Sequence, residues 1–405
     1  MIANTHGPEQ EVRQRILSQG PITFAEFHRI ALYWPRGGYY NGAGPFGAAG
    51  DFYTAPLAHP AFGALLMVQL RHMWQILGEP NPFWIIEPGA GVGRMAEDIL
   101  RAAEAFAPEM YETLRYVAIE PHPASCAPGP LQWLRSAGLP LRGVRGCILA
   151  NELLDAFPVH RVHMRNGELR EIFVTLDEAG TLVELDGEPS TPALAERFEA
   201  LNITLPNDYR TEVNLELRPW LEAAAAALGS GYLLLFDYGH EARDFYGAAR
   251  ASGTLRCYYR HTLNANPLRH VGKQDISVHV EFSSVRNIAV SLGLVEMGFA
   301  LQAEFLANLG LDDFRKDIEQ RRGLPSQVRD ANLWAMDTLV REDGMGSFKV
   351  AAFGKSVPQH PLQGFSPGLK SQERVAAPLT TPAHMPAPDF GPSEMELPSW
   401  EELLR

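Results

Sequence analysis

Residues 85–93 read Ile-Ile-Glu-Pro-Gly-Ala-Gly-Val-Gly, and this stretch decides how the chain is expected to fold. Its apolar residues predict a short buried strand, and its three glycines predict a tight turn that opens a helix over 94–106. Glycine allows the backbone to approach a ligand closely, and the first turn of a helix offers N–H groups without intrahelical partners. The stretch is therefore typical of a ligand-binding turn between a strand and a helix.

The spacing of the glycines limits which ligand the turn can bind. A dinucleotide-binding turn has the pattern G-x-G-x-x-G, but this chain has Arg94 at the third glycine position. A phosphate-binding loop is absent too, because the Gly-Lys-Ser of 354–356 lacks the earlier glycine. Glu87, which precedes the turn, favours a ligand that carries an ammonium group. S-adenosylmethionine (SAM), a sulfonium with an ammonium group, fits this description; an ordinary structural turn is the alternative.

Strands and helices alternate on both sides of this turn, which predicts a parallel α/β sheet covered on both faces. Period-two alternation over 157–211 predicts an antiparallel insert with one helix, and the polar stretch 240–282 predicts a long irregular loop. The main strands are expected at 83–87, 116–120, 147–150 and 232–236, and the helices at 94–106, 129–137 and 219–228.

Three regions follow from this pattern. Residues 1–80 predict an N-terminal helical region around a glycine-rich loop, and 81–355 form the expected α/β domain. Residues 356–405 are rich in proline and poor in large apolar side chains, so they predict a disordered tail that folding does not need.

Composition excludes several classes of protein. The 405 residues carry a net charge of −13, which disfavours binding to nucleic acid or to an anionic membrane surface. The three cysteines are widely spaced, which argues against disulfides and a zinc site and favours the reducing cytoplasm. His261, Asp275 and His279 match no compact metal motif, so no metal is expected. The N-terminal residues show no secretory signal pattern.

Candidate site residues lie where predicted strands end, because ligands bind at the carboxyl ends of strands in open α/β sheets. Glu120 ends the second strand and is placed to accept hydrogen bonds from the two ribose hydroxyls of SAM. A solvent-facing carboxylate is the alternative. Asn151, Glu152 and Asp155 follow the next strand, where carboxylates can hold a guanidinium. Asp237, at the end of a further strand, is expected to border the substrate pocket, and a strand-end turn is the alternative.

These motifs, taken together, resemble the MidA-like family of SAM-dependent methyltransferases. The resemblance covers about residues 10–354, and its specificity comes from several blocks in the same order. The blocks are Gly38-Tyr-Tyr, Gly50-Asp-Phe-Tyr-Thr-Ala-Pro, the Glu87 glycine turn, Asn151-Glu-Leu-Leu-Asp-Ala-Phe-Pro, Phe236-Asp-Tyr-Gly, Gly253-Thr-Leu-Arg-Cys-Tyr and Asp275-Ile-Ser-Val-His-Val-Glu-Phe.

The resemblance implies a Rossmann-like class I methyltransferase sheet with the N-terminal helical region and the insert added to it. It also implies SAM as cofactor and methylation of an arginine on a protein, with a subunit of a respiratory complex as the candidate partner. We expect the cofactor to contact the glycine turn and the entry segment, which is the glycine-rich stretch that contains Asp51, Tyr53 and Thr54. The residues after the third strand are expected to act on the substrate. The cofactor residues are Glu87, Gly89, Gly91, Gly93, Glu120, Asp51, Tyr53 and Thr54; the catalytic residues are Asn151, Glu152 and Asp155.

Two other functions agree with the same residues. A SAM-binding assembly factor without turnover would use the same cofactor contacts, and a small-molecule N- or O-methyltransferase would need an enclosed apolar pocket. The sequence does not separate them from a protein-arginine methyltransferase. The oligomeric state and the methylated protein are also not determined by it.

Overall fold

A computed structural model describes residues 6–41, 54–123, 130–259, 262–264, 266–369 and 375–384. Its α-helices are α1 Pro8–Gln19, α2 Phe24–Tyr33, α3 Ala55–Ala58, α4 Ala61–Ile76, α5 Arg94–Phe106, α6 Pro108–Thr113, α7 Ala193–Ala200, α8 Leu217–Ala227, α9 Ala242–Phe245, α10 Phe282–Ser291, α11 Gln302–Leu309, α12 Leu311–Gln320 and α13 Ser326–Thr338. Its strands are β1 Ile22–Thr23, β2 Phe83–Pro88, β3 Leu114–Glu120, β4 Leu131–Arg135, β5 Val144–Asn151, β6 His160–Arg165, β7 Glu168–Leu176, β8 Leu182–Gly187, β9 Arg210–Val213, β10 Leu228–Asp237, β11 Gly239–His240, β12 Arg256–Tyr259, β13 Thr262–Asn264, β14 Asp275–Ser277, β15 Val280–Glu281, β16 Val295–Leu301 and β17 Lys349–Lys355.

A seven-stranded sheet in the order β16-β17-β10-β5-β2-β3-β4 forms the centre of the fold. All neighbouring pairs from β10 to β4 are parallel, and only β17 runs against its neighbours. The chain runs outward from β2 through β3 to β4 and then returns to the other side of β2 as β5. This reversal creates a crevice at the carboxyl ends of β2 and β5, the usual ligand site of such sheets. The predicted α/β fold is confirmed.

Side chains of the central strands alternate between two cores. Leu234 and Phe236 of β10 join the core under α4, α5 and α11, whereas Leu233 and Leu235 join the core under α8 and α10. Successive strand residues point to opposite faces, so a continuous apolar run is buried on both sides. This burial explains why the sequence of β10 lacks the polar alternation of a surface strand.

A second, antiparallel sheet is formed by strands of the insert together with β1 from the start of the chain. Its order is β1-β7-β6-β9, with β8 paired to β7. Residues 240–282 are not an irregular loop as predicted, because they contain α9 and the three-stranded sheet β13-β12-β14. The prediction failed there because the three strands are only three or four residues long, too short for a period-two pattern to emerge.

The helix predicted near 129–137 is also wrong. Residues 131–135 form β4, which pairs in parallel with β3 through Tyr116 and Leu131. Residues 131–135 read Leu-Gln-Trp-Leu-Arg, and three apolar side chains in so short a segment fit either a helix or a strand. The free edge of β3 decides between them. Among the described residues no helix is both long and apolar enough to span a bilayer.

The described part of the C-terminal tail packs on the body, so the predicted disorder is wrong for 356–369 and 375–384. Leu362 is fully buried in the main core. The Gly364 N–H donates to the Gln69 side-chain oxygen at 2.8 Å, and the Ala377 N–H donates to Asp317 Oδ2 at 3.0 Å. Such hydrogen bonds between tail backbone and body side chains do not require an apolar sequence, which is why composition missed them.

The end of the described tail contacts two helices, α13 and α5, and α5 begins directly after the glycine turn. The Thr380 N–H donates to Asn332 Oδ1, which also hydrogen-bonds the buried His59 ring after α3. The His384 ring contacts Asp98 Oδ2 of α5 at 2.9 Å, and both side chains are almost fully buried. The tail therefore stabilises α13 and α5 through buried hydrogen bonds.

We expect His384→Ala to lower the free energy of unfolding by about 1–3 kcal/mol, because it leaves the buried Asp98 carboxylate with one hydrogen bond fewer. Urea denaturation of the full chain measures this change. His360→Ala is the matched control, since His360 lies exposed in the same tail. Equal stability of both variants would show that the tail does not support α5.

Candidate cofactor and substrate site

Predicted site residues lie at the ends of four neighbouring strands, along one edge of the sheet. In spatial order β10, β5, β2 and β3 end at Asp237, Asn151, Pro88 and Glu120. Because parallel strands share the direction of their carboxyl ends, residues far apart in the sequence meet around the crevice. The structure brings these predicted residues together.

The glycine turn after β2 has a backbone that other residues rarely adopt. Gly89, Gly91 and Gly93 all have positive φ, of 72°, 56° and 78°. A Cβ on Gly89 would lie 2.8 Å from Leu153 Cδ1, so the Leu153 side chain would have to move, and the positive φ itself favours glycine there. The turn leads into α5 at Arg94, so the first turn of this helix, where N–H groups lack intrahelical partners, follows directly on the glycines.

Glu120 contacts the glycine turn directly. Its Oε1 accepts a hydrogen bond from the Gly91 N–H at 2.6 Å. Burial raises the pKa of Glu120 to about 7, and the Gly91 hydrogen bond opposes that rise. A partly buried carboxylate at the end of β3, beside the turn, is placed to accept hydrogen bonds from vicinal hydroxyls.

Glu87 is more enclosed than its position before the turn suggested. It is 3% exposed, and its Oε2 accepts a hydrogen bond from the Tyr116 hydroxyl at 2.7 Å, which ties β2 to β3. Burial raises the pKa of Glu87 to about 8. Its contact with the ammonium group of the cofactor stays a prediction.

Glu120→Ala should weaken SAM binding by about 1.5–3 kcal/mol, because the variant loses hydrogen bonds between a charged group and the ribose. Isothermal titration calorimetry measures the change. Glu104→Ala is the control, since it removes the same charge from an exposed position on α5. Equal SAM affinity in the two variants would exclude Glu120 from the cofactor site.

Glu152 has an unusual backbone for a residue with a side chain. Its φ is 47°, a conformation that costs of order 1–3 kcal/mol and is concentrated at functional sites. Its N–H donates to Phe236 O, while its Oε1 accepts from Asn151 Nδ2 at 3.0 Å and from the Ala55 N–H at 3.3 Å. Burial, and then repulsion from Asp155, raises the pKa of Glu152 to about 8.

Asp155 and Asp237 lie beside Glu152 in the same acidic cluster. Oδ2 of Asp237 accepts from the Leu154 and Asp155 N–H groups, so Asp237 holds the short 3-10 turn that carries Asp155. Burial and the neighbouring Asp155 and Glu152 hold the pKa of Asp237 well above its usual range. Burial also raises the pKa of Asp155, to about 6.

Sequence reasoning did not assign a site role to Asp275 or to the tyrosines of the cluster. Asp275 is fully buried and its Oδ1 accepts from the Tyr40 hydroxyl at 2.9 Å. The Tyr238 hydroxyl donates to Asp155, and the Tyr33 hydroxyl donates to Ala156 O at 2.8 Å. The signal was present, because Tyr40, Tyr238 and Asp275 lie in the quoted blocks Gly38-Tyr-Tyr, Phe236-Asp-Tyr-Gly and Asp275-Ile-Ser.

The remaining predictions concern the entry segment. Asp51 and Tyr53 lie outside the described residues. Thr54 is described, is half-buried and immediately precedes α3, whose first N–H contacts Glu152. Its role in holding the cofactor stays a prediction.

A mostly parallel sheet of this order, with a glycine turn and an acidic residue at its reversal point, defines the class of SAM-dependent methyltransferases. A family model for S-adenosyl-L-methionine-dependent methyltransferases matches residues 65–300, more than half of the chain. The chain belongs to this family, and its cofactor is SAM. The three positive-φ glycines and Glu120 fit that cofactor, because glycine lets a ligand approach the backbone of the turn and Glu120 places a carboxylate at the same crevice.

Named relatives support the same class. The chain is 30% identical to the Mus musculus protein arginine methyltransferase NDUFAF7, mitochondrial, over 91% of this chain and 87% of that protein. Its identity to the Homo sapiens protein of the same name is 28%, over 86% and 83% of the two chains. A solved COG1565 superfamily structure from Burkholderia thailandensis, bound to S-adenosyl-homocysteine, has a TM-score of 0.78 and 29% identity and covers 89% of this chain and 94% of that one.

Proposed function

We propose that this methyltransferase transfers a methyl group to an arginine side chain of a protein. The observation that carries the proposal is the cluster of buried carboxylates beside the cofactor crevice, in which burial, and then repulsion between the acids, raises the pKa values of Glu152, Asp237 and Asp275. A guanidinium is a planar cation with five N–H donors, so it suits a pocket of acceptor oxygens. The names of the relatives as protein arginine methyltransferases agree with this chemistry.

In the proposed reaction, the cofactor supplies an activated methyl group on its sulfonium, and a new N–C bond forms as the S–C bond breaks. The acceptor nitrogen starts as part of a protonated guanidinium, which is a weak nucleophile. Glu152 and Asp155 orient it, and one of them accepts the proton that the nitrogen loses as the bond forms. Asn151 helps to position the acceptor, because its side-chain amide donates to Oε1 of Glu152 and so holds the carboxylate that orients the guanidinium.

The raised pKa values suit that role. A carboxylate with a pKa near neutrality accepts a proton more readily than an ordinary one, and an arriving guanidinium stabilises its charged form. Above pH 8 Glu152 is ionised even without substrate, because its pKa is about 8. Near pH 7 the bound cation promotes the ionisation of Glu152.

Radiolabelled methyl transfer tests the proposal. The wild-type protein and labelled SAM are incubated with lysate of a strain that lacks the gene, and the labelled products are identified by mass spectrometry. Methylarginine in a protein band is expected, with a respiratory-complex subunit as the first candidate. Label on another residue or on a small molecule would contradict arginine specificity. No incorporation into any product would favour the assembly factor.

The cytoplasmic location stays a prediction.

A further inference from the structure

Asp275 and Asp155 have the same hydrogen-bonding arrangement, and Asp275 has no role in the reaction proposed above. Each is a buried carboxylate with one oxygen held by a tyrosine hydroxyl, Tyr40 for Asp275 and Tyr238 for Asp155. The other oxygen of each, Oδ2 of Asp275 and Oδ1 of Asp155, is buried and has no hydrogen-bond partner among the described residues.

The two acids belong to one cluster. The Val278 N–H, next to β14, donates to the backbone oxygen of Asp155 at 3.0 Å. Burial, and then repulsion from Asp155, raises the pKa of Asp275 to about 8. Asn151 Oδ1 is a third buried oxygen without a partner in the described chain.

Such an arrangement is costly unless a ligand compensates it. A buried acceptor without a partner loses its hydration and gains nothing, and two nearby carboxylates repel each other. Proteins tolerate this cost where binding or catalysis uses it. A ligand that offsets the cost of these buried carboxylates must be cationic, and it must carry several hydrogen-bond donors in a plane.

We propose that Asp275 and Asp155 bind the guanidinium of the substrate arginine together, each through its unpartnered oxygen, while Tyr40 and Tyr238 fix the other oxygens. The inference rests on the proposed arginine specificity and adds Asp275 as a substrate-binding residue. Glu152, whose Oε1 is held by Asn151 and Ala55, is then left to accept the proton. A lysine ammonium is a point charge and would not satisfy separate acceptors as well.

Binding of a blocked arginine measures this without turnover. The probe is Nα-acetyl-arginine methylamide, titrated calorimetrically into the full chain saturated with S-adenosyl-homocysteine, with the lysine analogue as comparison. Asp275→Asn should weaken arginine binding by roughly 10- to 100-fold, the usual range for a lost charged hydrogen bond, and leave S-adenosyl-homocysteine affinity unchanged. Asp244→Asn is the control, because it removes the same charge from an exposed site.

Thermal stability separates binding from a structural role. If Asp275 serves the ligand, Asp275→Asn removes repulsion and should keep or raise the melting temperature of the ligand-free protein. A structural carboxylate would instead give a lower melting temperature. Tyr40→Phe retains the charge but releases Oδ1, and should weaken arginine binding less than Asp275→Asn does.

The outcomes distinguish this inference from the proposed function. Wild-type arginine binding by Asp275→Asn, or methylarginine formed in lysate by this variant at the wild-type rate, would overturn the role of Asp275 and leave arginine methylation intact. Equal binding of the arginine and lysine probes by the wild-type protein would overturn the inferred guanidinium site. If Asp275→Asn unfolds, the role is structural and the inference also fails. Absence of methylarginine with the wild-type enzyme would overturn the proposed function itself.

Discussion

Glu152→Gln should lower methyl transfer by about 100-fold or more, the usual contribution of a positioned acid–base group. The glutamine oxygen can still accept from Asn151 and from the Ala55 N–H, so the local structure is expected to persist. SAM affinity should change little, because the predicted cofactor contacts lie on the glycine turn and Glu120. The measurements are methyl incorporation from labelled SAM and SAM affinity by calorimetry.

The matched control is Glu199→Gln, which makes the same change at an exposed position on α7. Full incorporation by Glu152→Gln would remove this residue from the mechanism. The same variant also separates enzyme from assembly factor. If it complements a deletion strain without incorporating methyl groups, turnover is not the cellular role of the protein.

Gly91→Val should abolish measurable SAM binding while the protein remains folded. Gly91 has a φ of 56°, where a β-branched side chain is strained, and its N–H contacts Glu120 at the cofactor crevice. Val would move this backbone and place a side chain where the ligand approaches. Calorimetry measures binding, and circular dichroism verifies the fold.

Gly138→Val is the control for this change. An added Cβ at Gly138 meets no atom within 4 Å, and its φ is not in the left-handed region. It should bind SAM like the wild type. Wild-type affinity in Gly91→Val would refute the assignment of the turn to the cofactor.

The sequence by itself determined the strand-turn-helix at Glu87–Gly93, the parallel sheet and the acids at its strand ends. These features are local, since apolar runs and glycine spacing report on a few neighbouring residues. Parallel strands then bring their carboxyl ends to one edge, so Glu120 and Glu152 could be assigned to the crevice before the structure was known.

Only the tertiary structure decided the partners that come from distant parts of the chain. Tyr40 and Asp275 are 235 residues apart, and His384 and Asp98 are 286 apart. No local period encodes such contacts, because they depend on how the N-terminal helices, the insert and the tail dock on the sheet. The tail docks through a few buried apolar side chains such as Leu362, and also through hydrogen bonds from backbone N–H groups, which every residue except proline carries. Its composition therefore predicted disorder where the body provides acceptors that order it.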